Sequence, residues 1–220
     1  MKKKSTRSIF VAVLSLAAFA LWTVLVRTVD VREIGPNGSA VGFAALNGFV
    51  HKLTGVNMTL YTLTDWLGLV PLAAAFGFAI LGAVQWLLRK SIFKVDRSLA
   101  VLGAFYIAVA AAYVLFEIFP VNYRPVLIEG QLEASYPSST TLLVACIMPS
   151  SAMQVCERVK NKTFKRLVIS AVTAFTAFTV IGRILAGVHW ISDIIGGILL
   201  SVGLVEMYCF GAYKRVYVNN

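Results

Sequence analysis

Charged residues are scarce in this chain, 14% of 220 positions against 59% hydrophobic. A soluble domain carries charge on roughly a quarter of its residues, so an ordinary water-facing surface is excluded. Acidic residues are scarcer than basic ones, 10 against 20. The three cysteines (Cys146, Cys156, Cys209) are odd in number and lack ligand spacing, which excludes a disulfide framework and a cysteine metal centre. They read as small core hydrophobes. No internal repeat, low-complexity tract or second domain is evident, so residues 1–220 read as a single membrane domain.

What fills the chain instead is apolar. Mean hydropathy is +0.80, and runs of roughly 17–25 apolar residues each suffice to span a bilayer as a helix. Six runs fit: 9–26, 60–88, 99–119, 140–155, 167–188 and 190–210. The expected fold is therefore all-α and polytopic, with six transmembrane helices. The second run is long enough to tilt or to include an interfacial turn. Pro149 predicts a kink in the fourth. Ala18-Phe19-Ala20 imitates a signal-peptide cleavage site but sits mid-run, so the first run reads as a retained span.

Lys and Arg concentrate at Lys2–Lys4 and Arg7, at Arg89–Arg97, at Arg158–Arg166 and at Lys214–Arg215. In a six-span layout these segments share one side, and the positive-inside rule makes it cytoplasmic. Both termini are then cytoplasmic, in a multi-pass protein of the cell (plasma) membrane. The net charge of +10 reports topology and anionic headgroups, with membrane lipids as partners and no nucleic acid. The sizeable external segment is about 31–57. Within it Gly35-Pro36-Asn37-Gly38 signals a turn, and residues 40–53 place Val41, Ala44, Ala45, Phe49 and Leu53 at near-helical spacing, as an interfacial helix would.

Ionisable residues inside hydrocarbon-length segments are costly and mark functional sites by default. Arg183, His189 and Asp193 are such a cluster. If the helix continues, His189 and Asp193 are i and i+4 on one face, where the carboxylate orients the imidazole and stabilises its cation. Arg183 lies close enough to grip an anion that the His attacks. On the six-span topology Arg124-Pro125, Tyr136-Pro137-Ser138-Ser139-Thr140, His189 and Asp193 all fall at the external ends of the last four spans.

These residues resemble the motifs of the type 2 phosphatidic acid phosphatase family of integral membrane lipid phosphatases. That family's pattern is Lys, six residues, Arg-Pro; then Pro-Ser-Gly-His; then Ser-Arg, five residues, His, three residues, Asp. Here the blocks are Glu117 with Arg124-Pro125, then Pro137-Ser138-Ser139-Thr140, then Gly182-Arg183 with His189 and Asp193, over 117–193. The resemblance implies that His189 is the nucleophile of a phosphohistidine intermediate and that Asp193 orients it. Arg124 and Arg183 would bind the phosphoryl oxygens, with Ser138 and Ser139 and nearby amides as further donors. No cofactor or metal is implied, and the active site would face outside.

Three departures from the pattern matter: Gly182 for Ser, Glu117 for Lys, and Thr140 for the His that protonates the leaving group. A Thr hydroxyl does not titrate usefully, so Thr140 is a modified general-acid position. An alkoxide leaving group has a conjugate acid near that of water, about 15.7, and needs a proton. A phosphate leaving from a diphosphate has a second pKa of about 6 and departs unassisted. The expected substrate is thus a lipid phosphate or, preferably, a polyprenyl or lipid diphosphate. The alternative is a catalytically degenerate relative that binds lipid phosphate or a partner without hydrolysis.

Blander roles stand beside these. Ser138 and Thr140 suit helix caps after Pro137, and Glu117 suits a structural pair with Arg124 or Lys52. Glu129 or Glu133 could serve as a substitute acid. His51 reads as a solvated interfacial residue, Asp65 as lying at the external end of its span, and Trp66, Trp86 and Trp190 as an aromatic belt.

Overall fold

The computed structural model describes residues 2–213, with side chains from residue 6. The tail residues Lys214 and Arg215, used above to orient the chain, lie outside the described residues, as do the side chains of Lys2–Lys4. Eight α-helices follow in order: α1 (Lys2–Thr28), α2 (Ala44–Thr54), α3 (Met58–Leu67), α4 (Leu69–Arg89), α5 (Arg97–Ile118), α6 (Ser139–Arg158), α7 (Lys162–Leu185) and α8 (Ile191–Tyr213). Among the described residues there are three isolated β-bridges and no strand, so the fold is all-α. Six helical stretches are long and apolar enough to cross a membrane, and their outward faces are apolar, Ile107 being 73% exposed.

The second span is broken, because α3 ends at Leu67 and α4 begins at Leu69 across Gly68. The kink expected at Pro149 does not interrupt α6, which is helical throughout. Local chemistry sets the helix starts. Asn57 accepts from Leu60 N–H (2.9 Å) at α3, and Asn161 accepts from Thr163 and Phe164 N–H at α7. Ser138 caps α6 by accepting from Thr141 N–H (3.5 Å), so Thr140 is not the cap. It lies inside the first turn, because only the residue flanking the helix has the non-helical backbone a cap requires.

Helix α8 is the axis of the bundle, packing on α1, α5 and α6. The core runs through Leu102, Phe105 and Val109 of α5, Leu142, Cys146 and Ile147 of α6, and Leu200 and Tyr208 of α8. Cys146 is fully buried there, while Cys156 and Cys209 are partly buried. At one end Arg158 lies 3.9 Å from Asp96, and Arg97 reaches Gly211 O (3.2 Å). The basic α4–α5 and α6–α7 connections meet there. The other end gathers α2, the 119–138 loop and the α7–α8 turn. Helix α2 is fastened to it by Asn47, which donates to Ser192 Oγ (2.9 Å) and Gly42 O (2.7 Å).

Candidate active site

The α7–α8 turn positions the histidine. Gly187, at φ +66°, terminates α7 in the left-handed conformation that glycine adopts without a steric penalty, and a Cβ there would strike the Gly55 backbone. Helix α8 starts only at Ile191, so His189 lies in the turn and does not share a helix face with Asp193, contrary to the sequence expectation. They meet for another reason. Asp193 is the third residue of α8, and its Oδ2 accepts from the Trp190 N–H (3.0 Å), the reach-back of a capping box. That bond folds the carboxylate toward the preceding residue's ring, with His189 Nδ1 at 3.8 Å from Oδ2. Asn122 donates to Asp193 Oδ1 (3.1 Å).

On the ring's other side His189 Nε2 lies 3.3 Å from Arg124 Nη1. A guanidinium only donates, so Nε2 is the acceptor and the proton sits on Nδ1, facing Asp193. Burial, reinforced by the positive charges of Arg124 and Arg183, holds His189 well below the usual imidazole pKa. The ring is therefore neutral near pH 7, with an unprotonated Nε2.

Arg124 is presented by the α5–α6 loop, which doubles back on itself. Bridges pair Tyr123 with Ala134 and Ile128 with Gln131, and Glu129 and Gly130 at the tip both take positive φ, as a tight hairpin turn requires. Arg124 N–H donates to Glu133 O (3.0 Å), and Arg124 Nε lies 2.9 Å from Glu133 Oε2. Arg124 therefore pairs with Glu133, and among the described residues Glu117 forms an ion pair with neither Arg124 nor Lys52. The hairpin register puts positions 124 and 133 opposite each other, which no spacing along one helix suggests. Glu129 stays at the loop tip.

Arg183, 1% exposed, is held by α3. Its Nη1 donates to Thr64 Oγ1 (3.4 Å), Asp65 Oδ1 is 3.6 Å away, and its Cζ lies 5.0 Å from the Tyr61 ring centroid. Arg124 Cζ is 5.9 Å from the same centroid. One aromatic face thus serves both guanidiniums and offsets some of their mutual repulsion. Gly182 suits this packing, since a Cβ there would come within 2.6 Å of Thr64 Cγ2.

Between these groups lies a polar cavity of about 550 Å³, lined by Tyr61 and Asp65 of α3, Tyr113 and Glu117 of α5, Arg124 and Glu133 of the loop, Ser139 of α6 and Arg183 of α7. Asp65 is exposed there, on α3 just before the Gly68 break. The site residues read from sequence divide into three sets. Arg124, Arg183 and Ser139 line the cavity. His189 and Asp193 sit one layer behind Arg124, their side chains 1% and 0% exposed. Ser138 and Thr140 are buried and do not line it. Ser138 is occupied as the cap, with its N–H on Asp193 O (3.1 Å), and Thr140 faces the Gly68 break. The first-turn amides of α6 have no intrahelical acceptors, so the cavity also meets a helix N-terminus suited to anions.

Sequence reasoning missed Tyr61, Thr64, Asn122 and the pairing role of Glu133. The usable signals were Asn122 two residues before Arg124, and the Glu129-Gly130 turn. Trp190 is no belt residue: it is 3% exposed and donates from Nε1 to Tyr123 O (2.7 Å), bracing the loop. His51 is half-buried against it, ring centroids 5.5 Å apart, and burial lowers its pKa. Trp66 and Trp86 are exposed, at 69% and 51%.

Fold and site together define a multi-pass membrane protein with a polar cavity, lined by two arginines, at one end of its helical bundle. Residues 118–215 match the family model of the PAP2 superfamily. By structure the chain is similar to the crystal structure of the first transmembrane PAP2 type phosphatidylglycerolphosphate phosphatase from Bacillus subtilis, with a TM-score of 0.60. That likeness covers 95% of this chain and 97% of the other at 16% identity, and it is a likeness of fold. No curated protein matches the chain by sequence.

Proposed function

We propose that this protein is a plasma-membrane phosphatase that hydrolyses lipid phosphates, and preferably polyprenyl or other lipid diphosphates, at the external face. The observation that carries this reading is His189, with Nε2 unprotonated beside Arg124 and Nδ1 turned to Asp193. Phosphoryl transfer asks mainly for positioning and charge stabilisation. Arg124 and Arg183 grip the phosphoryl oxygens, with the Ser139 hydroxyl and the α6 amides as further donors. As Arg124 moves onto the phosphate it uncovers Nε2, which attacks phosphorus. The bond to the leaving oxygen breaks with its electron pair, and Asp193 stabilises the imidazolium of the phosphohistidine. Water then attacks phosphorus, and the P–N bond pair returns to Nε2.

The diphosphate preference rests on Thr140, which offers no titrating group and lies off the cavity. A phosphate leaving group needs little protonation, whereas an alkoxide needs much.

Release of inorganic phosphate by the purified protein in detergent, over a panel of lipid mono- and diphosphates, tests this reading. Wild type should release phosphate and His189→Ala should not, because no covalent route remains. A second reading is favoured by the burial of His189 behind Arg124, namely a relative that binds lipid phosphate without hydrolysis. Binding with no release from any substrate would select it.

A further inference from the structure

We propose that Glu117 is the general acid of this site and extends its substrates to lipid monophosphates; this rests on the phosphatase reading above. The cavity holds three carboxyl groups. Two are engaged: Glu133 lies 2.9 Å from Arg124, and Asp65 lies 3.6 Å from Arg183. Glu117 lines the same cavity and makes no ion pair or hydrogen bond among the described residues. A carboxyl committed to a guanidinium acts as an acceptor, whereas a free one can carry and donate a proton. The position that replaces a family lysine thus supplies what Thr140 cannot. Tyr113, one turn earlier on α5, and Tyr61 are the other titratable groups of the cavity wall. The Tyr61 ring already faces both guanidiniums.

The step balances. His189 Nε2 forms a bond to phosphorus while the P–O bond to the lipid breaks. The electron pair goes to the lipid oxygen, and the Glu117 proton follows it, giving the lipid alcohol, phosphohistidine and Glu117 carboxylate. In the second half the Glu117 carboxylate takes a proton from the attacking water as the P–N bond breaks, which restores both residues and releases inorganic phosphate.

The experiment compares kcat/KM for a long-chain lipid monophosphate and a polyprenyl diphosphate in full-length wild type and in Glu117→Gln and Glu117→His. General-acid help is worth roughly 10²–10⁴. Glu117→Gln should therefore lower the monophosphate-to-diphosphate ratio of kcat/KM by about that factor and remove the basic limb of the monophosphate pH profile. Glu117→His, which restores a titrating donor, should recover part of both. An equal effect on the two substrates, an unchanged monophosphate rate, or wild type inert toward monophosphates alone would overturn the role of Glu117. Wild type inert toward both substrates would instead overturn the phosphatase reading.

Discussion

Asp193→Asn isolates the electrostatic half of the proposed nucleophile. The carboxylate accepts from Asn122 Nδ2 on one oxygen and from Trp190 N–H on the other. An amide has one acceptor oxygen, so its NH2 group must face one of those donors, leaving a buried donor unpaired at a cost of about 1–3 kcal/mol. Against a total stability of about 5–15 kcal/mol, the fold survives. Catalysis suffers more. The neutral amide no longer stabilises the imidazolium, and a donor facing Nδ1 favours the tautomer with its proton on Nε2. That proton would point at Arg124 Nη1, now 3.3 Å away, where two donors repel and the nucleophilic lone pair is lost. The comparable change in a buried Asp–His pair costs roughly 10⁴ in rate, about 5 kcal/mol of transition-state stabilisation. Phosphate release should show kcat reduced by roughly 10³–10⁴ with KM little altered, since Arg124 and Arg183 remain. Helical circular dichroism and gel filtration in detergent should match wild type. A kcat within tenfold of wild type in a folded variant would refute the assignment of Asp193 as the partner of the nucleophile.

Gly182→Ser should destabilise by about 1–3 kcal/mol through overpacking, because the new Cβ meets Thr64 Cγ2. Adding Thr64→Ser removes that methyl while keeping the hydroxyl for Arg183, and should return the thermal midpoint toward wild type; no recovery would place the clash elsewhere. The depressed pKa of His189 keeps Nε2 free below the ordinary imidazole value of about 6.5. The acid limb of kcat/KM for a diphosphate should therefore fall below that pH, and a limb at or above it would refute the buried neutral ring. By the same linkage, the stability due to this His is fully present above about pH 6.5 and is lost as pH falls through the folded-state pKa, which thermal melts across that range would report. For topology, cysteines at Glu33 and Lys162 in a background lacking Cys146, Cys156 and Cys209 should label from opposite sides with an impermeant thiol reagent. Labelling of both from the same side would overturn the external site.

The number of spans and the identity of the polar cluster were legible because both rest on local chemistry. Apolar runs declare bilayer-length helices whatever packs on them, and Arg183, His189 and Asp193 stand out where charge is expensive. Helix starts were partly legible too, since Asn57, Asn161 and Ser138 cap by side chains that act within three residues. What the sequence left open depended on partners distant along the chain. Arg124 pairs with Glu133 because a hairpin sets them opposite each other, and Glu117 is left free by that choice. His189 and Asp193 converge through a turn at Gly187 and a cap on Trp190 instead of through a shared helix face. Tyr61 and Thr64 enter the site only because Gly182 lets α3 approach α7 closely. Residue type and spacing determine which side chains want an anion or shun the bilayer, but which of them touch is decided by packing, where one absent Cβ or one loop register reassigns every neighbour.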